Sequence, residues 1–480
     1  MSGDFDVLIV GAGLSGVGMA CHLAMKLPGK SYAILEARGA IGGTWDLFRY
    51  PGIRSDSDMY TLGYVFRPWT EAKAIADGPS IREYVERTAE DYGVTPNIRF
   101  GHKVVRADWS SADARWTVEA EHDGEIVRFT ARFLVMGSGY YDYAEGHRPN
   151  FEGEEDFAGR IVHPQFWPED LDWAGKEVVV IGSGATAVTL VPEMAKRAAH
   201  VTMLQRSPSF VVSRPSVDGL AERLKRVLPA TLAYRLTRLK NVALQMVFFR
   251  LARSRPAKVK AKMIDMVRDE LGAGFDVAAH FTSRYNPWDQ RVCLVPDGDL
   301  FAALRDGRAS VETGEIDRFT AGGIRLQNGR ALAADVVVAA TGLKISLMGG
   351  AELAVDGRVQ DLSKTLAYKA IMFGGLPNMA FIFGYTNASW TLKADLAADY
   401  VCRLIRHMDS KGYRSATPVA GPEVRPAPFL DFTSGYVQRA LAALPSQGDR
   451  RPWRLRQNYA VDAMSLKFSR IEDGALRFSR

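Results

Sequence analysis

The sequence predicts an α/β fold with two Rossmann-like dinucleotide-binding domains and a helical insertion. Three observations predict it. A β-prone run enters a glycine-rich loop and then a helical stretch at the N-terminus, and the same strand–loop–helix unit recurs from Lys176. Between Arg214 and Arg291 the periodicity turns helical and basic.

The first unit opens with Val7-Leu8-Ile9-Val10, a continuous apolar run of the kind a parallel strand buried on both faces requires. It leads into Gly11-Ala12-Gly13-Leu14-Ser15-Gly16 and a helical stretch through Met25. Gly11 permits the tight turn, Gly13 lets a pyrophosphate approach the backbone, and Gly16 lets helix and strand pack closely. The helix start then offers unpaired N–H groups to phosphate, so this loop, Ser15 included, is expected at a nucleotide. A second strand, Tyr32-Ala33-Ile34-Leu35, ends in Glu36, where an acid grips a ribose. Glu36 would repel a 2′-phosphate, which points to FAD or NAD and away from NADP.

The second unit runs from Val178-Val179-Val180-Ile181 into Gly182-Ser183-Gly184-Ala185-Thr186-Ala187, with Ala in the third glycine position. Its next strand, Val201-Thr202-Met203-Leu204, ends in Gln205-Arg206-Ser207. No acid stands where the ribose is read. Arg206 and the Ser207 hydroxyl suit a 2′-phosphate, which favours NADPH; a solvated arginine at a strand end is the plainer alternative. Two sites of opposite preference imply hydride transfer from NADPH to FAD.

Disulfide reductases share this layout but need a closely spaced cysteine pair. Cys21, Cys293 and Cys402 are the only cysteines and lie far apart, which excludes that class and any cysteine metal site. The same scarcity suits a reducing, cytoplasmic compartment. No signal-peptide pattern precedes the first strand and no apolar run is long enough for a spanning helix. A net charge of +6 over 480 residues is too mild for a nucleic-acid stripe, and suits anionic cofactors or an anionic membrane surface.

Between the two loops, Phe157-Ala158-Gly159-Arg160-Ile161-Val162-His163-Pro164-Gln165-Phe166-Trp167-Pro168 matches FxGxxxHxxxW(P/D), the fingerprint of Baeyer–Villiger monooxygenases. Upstream, Gly43-Thr44-Trp45, Tyr50-Pro51-Gly52 and Asp56 resemble that family's second signature. The run Gly42 to Asp58, with Tyr285 to Arg291, Tyr385 to Trp390 and Pro452-Trp453-Arg454-Leu455, resembles the ethionamide-activating branch along nearly the whole chain.

The resemblance implies an NADPH- and O₂-dependent FAD monooxygenase that converts apolar ketones to esters or lactones through a C4a-peroxyflavin. Sulfides and thiocarbonyls would be oxygenated as well. The alternatives are an N- or S-oxygenating flavin monooxygenase and a non-oxygenating NADPH oxidase or redox sensor. A peroxide and then an adduct oxygen carry negative charge, so a permanent cation is needed beside the flavin. By resemblance that cation is Arg291, held by Asp56; a structural ion pair for the one and a cap or turn acid for the other are the rivals. FAD contacts are also implied at Gly43, Thr44, Trp45, Asp56, Val104, Gly139, Thr341 and Asn387. Many members place Lys before the catalytic Arg, whereas here Gln290 stands there, so the NADPH preference rests on Arg206 and Ser207. His163 reads as a shaper of the linker rather than an acid–base group, and Cys293 as a small buried residue rather than an oxidation-sensitive one.

The FAD domain is expected over residues 1–145 and 343–480, and the NADPH domain over 146–213 and 292–342, with the insertion at 214–291. Phe133-Leu134-Val135-Met136 and Asp335-Val336-Val337-Val338-Ala339-Ala340 lead into the two crossings between domains. The insertion, where Leu239, Val242, Leu244, Met246, Phe248 and Phe249 mix with Arg235, Arg238, Lys240, Arg250 and Arg253, is expected to pack on the NADPH domain. The alternative is a basic amphipathic face resting on anionic lipid at the inner membrane surface. Oligomeric state is not readable from these patterns.

Overall fold

The N-terminal apolar run becomes strand β1 (Asp4–Val10), buried over Val7–Val10 because parallel strands flank it on both sides. In the computed structural model, which describes residues 3–430 and 432–480, helix α1 (Leu14–Lys26) and strand β2 (Tyr32–Leu35) follow. After the one-turn helix α2 (Met59–Leu62), β3 (Ile98–Arg99) pairs with β2. An antiparallel meander of β4 (Lys103–Ser110), β5 (Arg115–His122) and β6 (Glu125–Met136) then returns the chain to the other edge of β1.

The second sheet is wholly parallel. It is ordered β10-β9-β8-β11-β7, from β7 (Arg160–Val162), β8 (Glu177–Ile181), β9 (His200–Gln205), β10 (Ala309–Thr313) and β11 (Val336–Ala339). Helix α3 (Ala185–Met194) starts directly after the second glycine loop. Beyond β11 the chain goes back to the first sheet, where β12 (Glu352–Val355) lies beside β4 and β13 (Met379–Phe381) beside β6. The long helix α6 (Trp390–Lys411) then packs on α1.

The insertion contains two long helices, α4 (Ala230–Ser254) and α5 (Pro256–Leu271), joined through Arg255 alone. They serve different domains. Ile264, Val267 and Leu271 of α5 enter the core of the second sheet. The inner face of α4 turns to the first domain instead. Arg238, which the alternative of a lipid-facing basic face would turn outward, is buried there and donates to the carbonyls of Tyr60 at 2.8 Å and Gly63 at 2.7 Å, while Asn241 donates to the Asp58 carboxylate. The physical reason is that the short α2 leaves carbonyls unpaired at its C-terminal end, and a guanidinium satisfies several at once. The outer face keeps Leu232, Leu236, Leu239, Leu244, Val247 and Leu251 exposed. Among the described residues no helix is long and apolar enough to cross a membrane.

Candidate active site

Both glycine loops open on one cavity of about 1360 Å³ between the two sheets. Its size and its walls suit extended nucleotides. Each loop ends in a glycine N-cap, Gly13 before α1 and Gly184 before α3, and neither helix start is capped by a side chain. The first N–H groups of both helices are thus left for an external acceptor, which phosphate supplies. A Cβ added at Gly139 or Gly184 would stand in open space, and both residues line the cavity, so their backbone is open to a ligand. Gly11 holds φ +96° and would press a Cβ against the Gly137 carbonyl. The residues present therefore fit a dinucleotide in each loop.

Most of the expected contacts come together here. Gly11, Gly13, Ser15, Glu36, Gly43, Thr44, Trp45, Asp56, Val104, Gly139, Gly182 to Thr186, Arg206, Ser207, Arg291 and Thr341 all border this cavity. Two do not. A Cβ at Gly16 would sit 1.8 Å from the Gly11 carbonyl oxygen, so Gly16 serves the contact of helix with strand rather than the ligand. Asn387 faces the C-terminal segment, where its Nδ2 donates to the Gln457 carbonyl at 2.9 Å.

Glu36 is buried, and its two oxygens accept from the amides of Ala12 at 2.6 Å and Arg38 at 2.8 Å. Burial raises its pKa above the ordinary range against the pull of those amides. The remaining lone pairs are available to ribose hydroxyls. In the second loop the Ser183 hydroxyl donates to the Ser207 carbonyl at 3.2 Å, tying the loop to the end of β9. Arg206 beside it is exposed and has no ion pair among the described residues.

Arg291 lies across the cavity with its Nε 3.3 Å from Asp56 Oδ2. The carboxylate drives the guanidinium pKa further up, so its charge is permanent. In the run Ser55-Asp56-Ser57-Asp58 the helix cap is Asp58, whose side chain accepts from the Thr61 amide, and Asp56 is left free to meet Arg291. The Cys293 thiol is pushed up to about 12 by burial, which fits a small protonated core group. His163 packs on Gly146, and burial lowers its pKa.

Sequence reasoning missed an aromatic wall. The hydroxyls of Tyr140, Tyr141 and Tyr436 all feel the Arg291 charge, and Tyr140 and Tyr141 bond each other at 2.7 Å. Burial pushes the Tyr141 hydroxyl up to about 12. Trp390 stacks on Tyr140 with centroids 5.2 Å apart and donates from Nε1 to the Ser15 hydroxyl at 2.8 Å. Tyr140 and Tyr141 directly follow Gly137-Ser138-Gly139, and that adjacency was the available signal.

Two dinucleotide-type loops facing one cavity, with a fixed cation between them, define a nucleotide-dependent oxidoreductase. Comparison with known proteins narrows this. Residues 8–230 match the family model described as pyridine nucleotide-disulphide oxidoreductase. The chain is 54% identical to the FAD-containing monooxygenase EthA of Mycobacterium tuberculosis over 100% of its own length and 99% of that protein. It is 46% identical to the probable FAD-binding monooxygenase AlmA of Acinetobacter baylyi, covering 100% and 97%. It also shares its fold with an oxidized steroid monooxygenase bound to NADP, at TM-score 0.77 and 22% identity over 99% of each chain. The chain belongs to the family of FAD-containing monooxygenases.

Proposed function

We propose that the chain is a Baeyer–Villiger monooxygenase that holds FAD in its first loop and NADPH in its second and oxidises apolar ketones. The overall reaction consumes one ketone, O₂, NADPH and a proton, and yields the ester or lactone, NADP⁺ and water. Sulfides and thiocarbonyls are oxygenated at the same site. FAD, when bound, supplies electron transfer from NADPH and activation of O₂.

The observation that carries this reading is the Arg291–Asp56 pair at 3.3 Å, in the cavity both loops share. A fixed guanidinium there stabilises negative oxygen as it develops, without reorganising during the reaction. Asp56 orients it. Gly43, Thr44, Trp45, Val104 and Gly139 enclose the FAD site, and Ser15 is oriented towards the phosphates by Trp390. Arg206 and Ser207 take the 2′-phosphate of NADPH, a task Gln290 does not share by charge. The FAD domain then comprises residues 1–145 and 343–480, the NADPH domain 146–213 and 292–342, and the insertion 214–291. Three buried, unpaired cysteines suit a cytoplasmic setting. The exposed leucines of α4, set among Arg235, Lys240 and Arg250, suit a peripheral contact with anionic lipid. Absence of co-sedimentation with anionic liposomes at low salt would remove that contact.

The test of the reaction uses the FAD-loaded enzyme with NADPH, ¹⁸O₂ and 2-octanone or phenylacetone. Ester carrying one ¹⁸O atom, lost in Arg291→Ala while NADPH is still consumed, is the expected result. Conversion of all consumed O₂ to H₂O₂, whatever ketone or sulfide is offered, would instead make the protein an oxidase or sensor.

A further inference from the structure

A second cavity, of about 540 Å³, shares Tyr385 with the first. Its walls are helix α7 (Tyr459–Phe468), the segment 451–457, Lys369-Ala370 and the stretch Phe383–Tyr385. The volume falls in the range of small-molecule sites, about 300–1,000 Å³. Two independent features converge on it.

The first is charge. Arg451, Arg454 and Arg456 border the cavity, are exposed, and have no ion pair or side-chain hydrogen bond among the described residues. Deeper in, Lys393 and Lys369 are buried, but each is already matched, to Asp462 at 2.9 Å and to Asp473 at 3.0 Å. The uncompensated charge is therefore that of the three arginines. The second feature is apolar surface. Met464 and Phe468 line the same cavity at 69% and 80% exposure, high values for large hydrophobic side chains of a folded domain.

We propose that this cavity binds a free amphiphilic carboxylate, its hydrocarbon chain against Met464 and Phe468 and its head group on the forks of Arg454 and Arg456. Planar guanidinium pairs match a carboxylate in two-pronged fashion, which lysines do not. Tyr385 borders both cavities and donates to Asp462 at 2.8 Å, so an occupant here touches a wall of the candidate active site without entering it. The proposal stands apart from the oxygenation reading, because its test reads binding alone.

The test is calorimetric titration of the FAD-loaded enzyme with sodium dodecanoate below its micelle concentration. One saturable site is expected, weakened about tenfold or more in R454A/R456A and separately in Phe468→Asp. Dodecan-1-ol, with chain but no charge, and inorganic phosphate, with charge but no chain, should each bind about tenfold more weakly or less. Binding should persist with NADP⁺ at saturation. No saturable heat, or equal affinity in correctly folded R454A/R456A and Phe468→Asp, overturns the proposal. So does displacement by NADP⁺ or by 2-octanone, which would put dodecanoate in the larger cavity. Binding to phosphatidylglycerol vesicles but not to free dodecanoate would make the patch a lipid contact instead.

Discussion

Replacing Asp56 by Asn removes a negative charge 3.3 Å from Arg291 Nε and keeps the side chain's shape. At 3.3 Å the direct attraction is about 5 kcal/mol for an effective dielectric of about 20. The two side chains are 35% and 31% exposed, so solvent screens much of this. What remains for this partly exposed ion pair is about 1.5–3 kcal/mol, between the values for an exposed pair and for a fully desolvated one. If that hold on Arg291 matters only when negative oxygen develops, kcat/KM for ester formation falls about 10- to 150-fold. NADPH oxidation continues and its electrons appear as H₂O₂. The assay is therefore the ratio of ester, by gas chromatography, to peroxide per NADPH consumed. Asp58→Asn is the control, since Asp58 caps α2 and accepts from Asn241, away from Arg291. It should lower Tm and leave the ratio unchanged. An Asp56→Asn enzyme with full ester yield, or one that loses ester and NADPH oxidation in parallel with Tm, refutes the reasoning.

Arg206→Ala should raise KM for NADPH about 10- to 100-fold and leave KM for NADH nearly unchanged, because only the 2′-phosphate contact is lost; steady-state kinetics with both nucleotides measures this. Cys293, whose thiol is pushed up to about 12, should resist iodoacetamide at pH 8, and peptide mass spectrometry should find it unmodified in the folded enzyme. His163 has a native pKa lowered below 6.5, so its stability contribution is complete above that value and is lost as pH falls through the native pKa. His163→Gln should accordingly flatten the decline of Tm between about pH 7 and pH 5.

Both dinucleotide units were legible because their signals are local. A strand, three small residues and a helix start lie within a dozen positions, and Glu36 and Arg206 follow at the next strand end. The Arg291–Asp56 meeting was legible only through the family signatures, since 235 positions separate the two residues. Trp390 on Ser15 and Tyr436 near Arg291 left no local trace at all, because sheet topology alone brings the C-terminal segment back to the first loop. The direction of Arg238 was not legible for a related reason. Helical spacing tells which residues share a face of α4, but only the carbonyls after α2 decide which face turns inward. Asn387, an FAD contact by resemblance only, bonds the Gln457 carbonyl instead.

The single-residue joint between α4 and α5 has a mechanical consequence. Helix α4, 25 residues long, is a rod of about 37 Å, so a turn of about 10° at Arg255 swings its far end by about 6 Å. Its near end hardly moves. Arg253, two residues from the joint, is bonded to Asp289 at 2.8 Å, and Phe248 and Phe249 press on Trp288. The loop that carries Arg291 is thus anchored close to the fulcrum, while the exposed leucines ride on the long arm. A tilt of α5 against α4 about Arg255 would therefore displace the far end, which Tyr234 and Arg238 hold against the first domain, far more than the loop that carries Arg291.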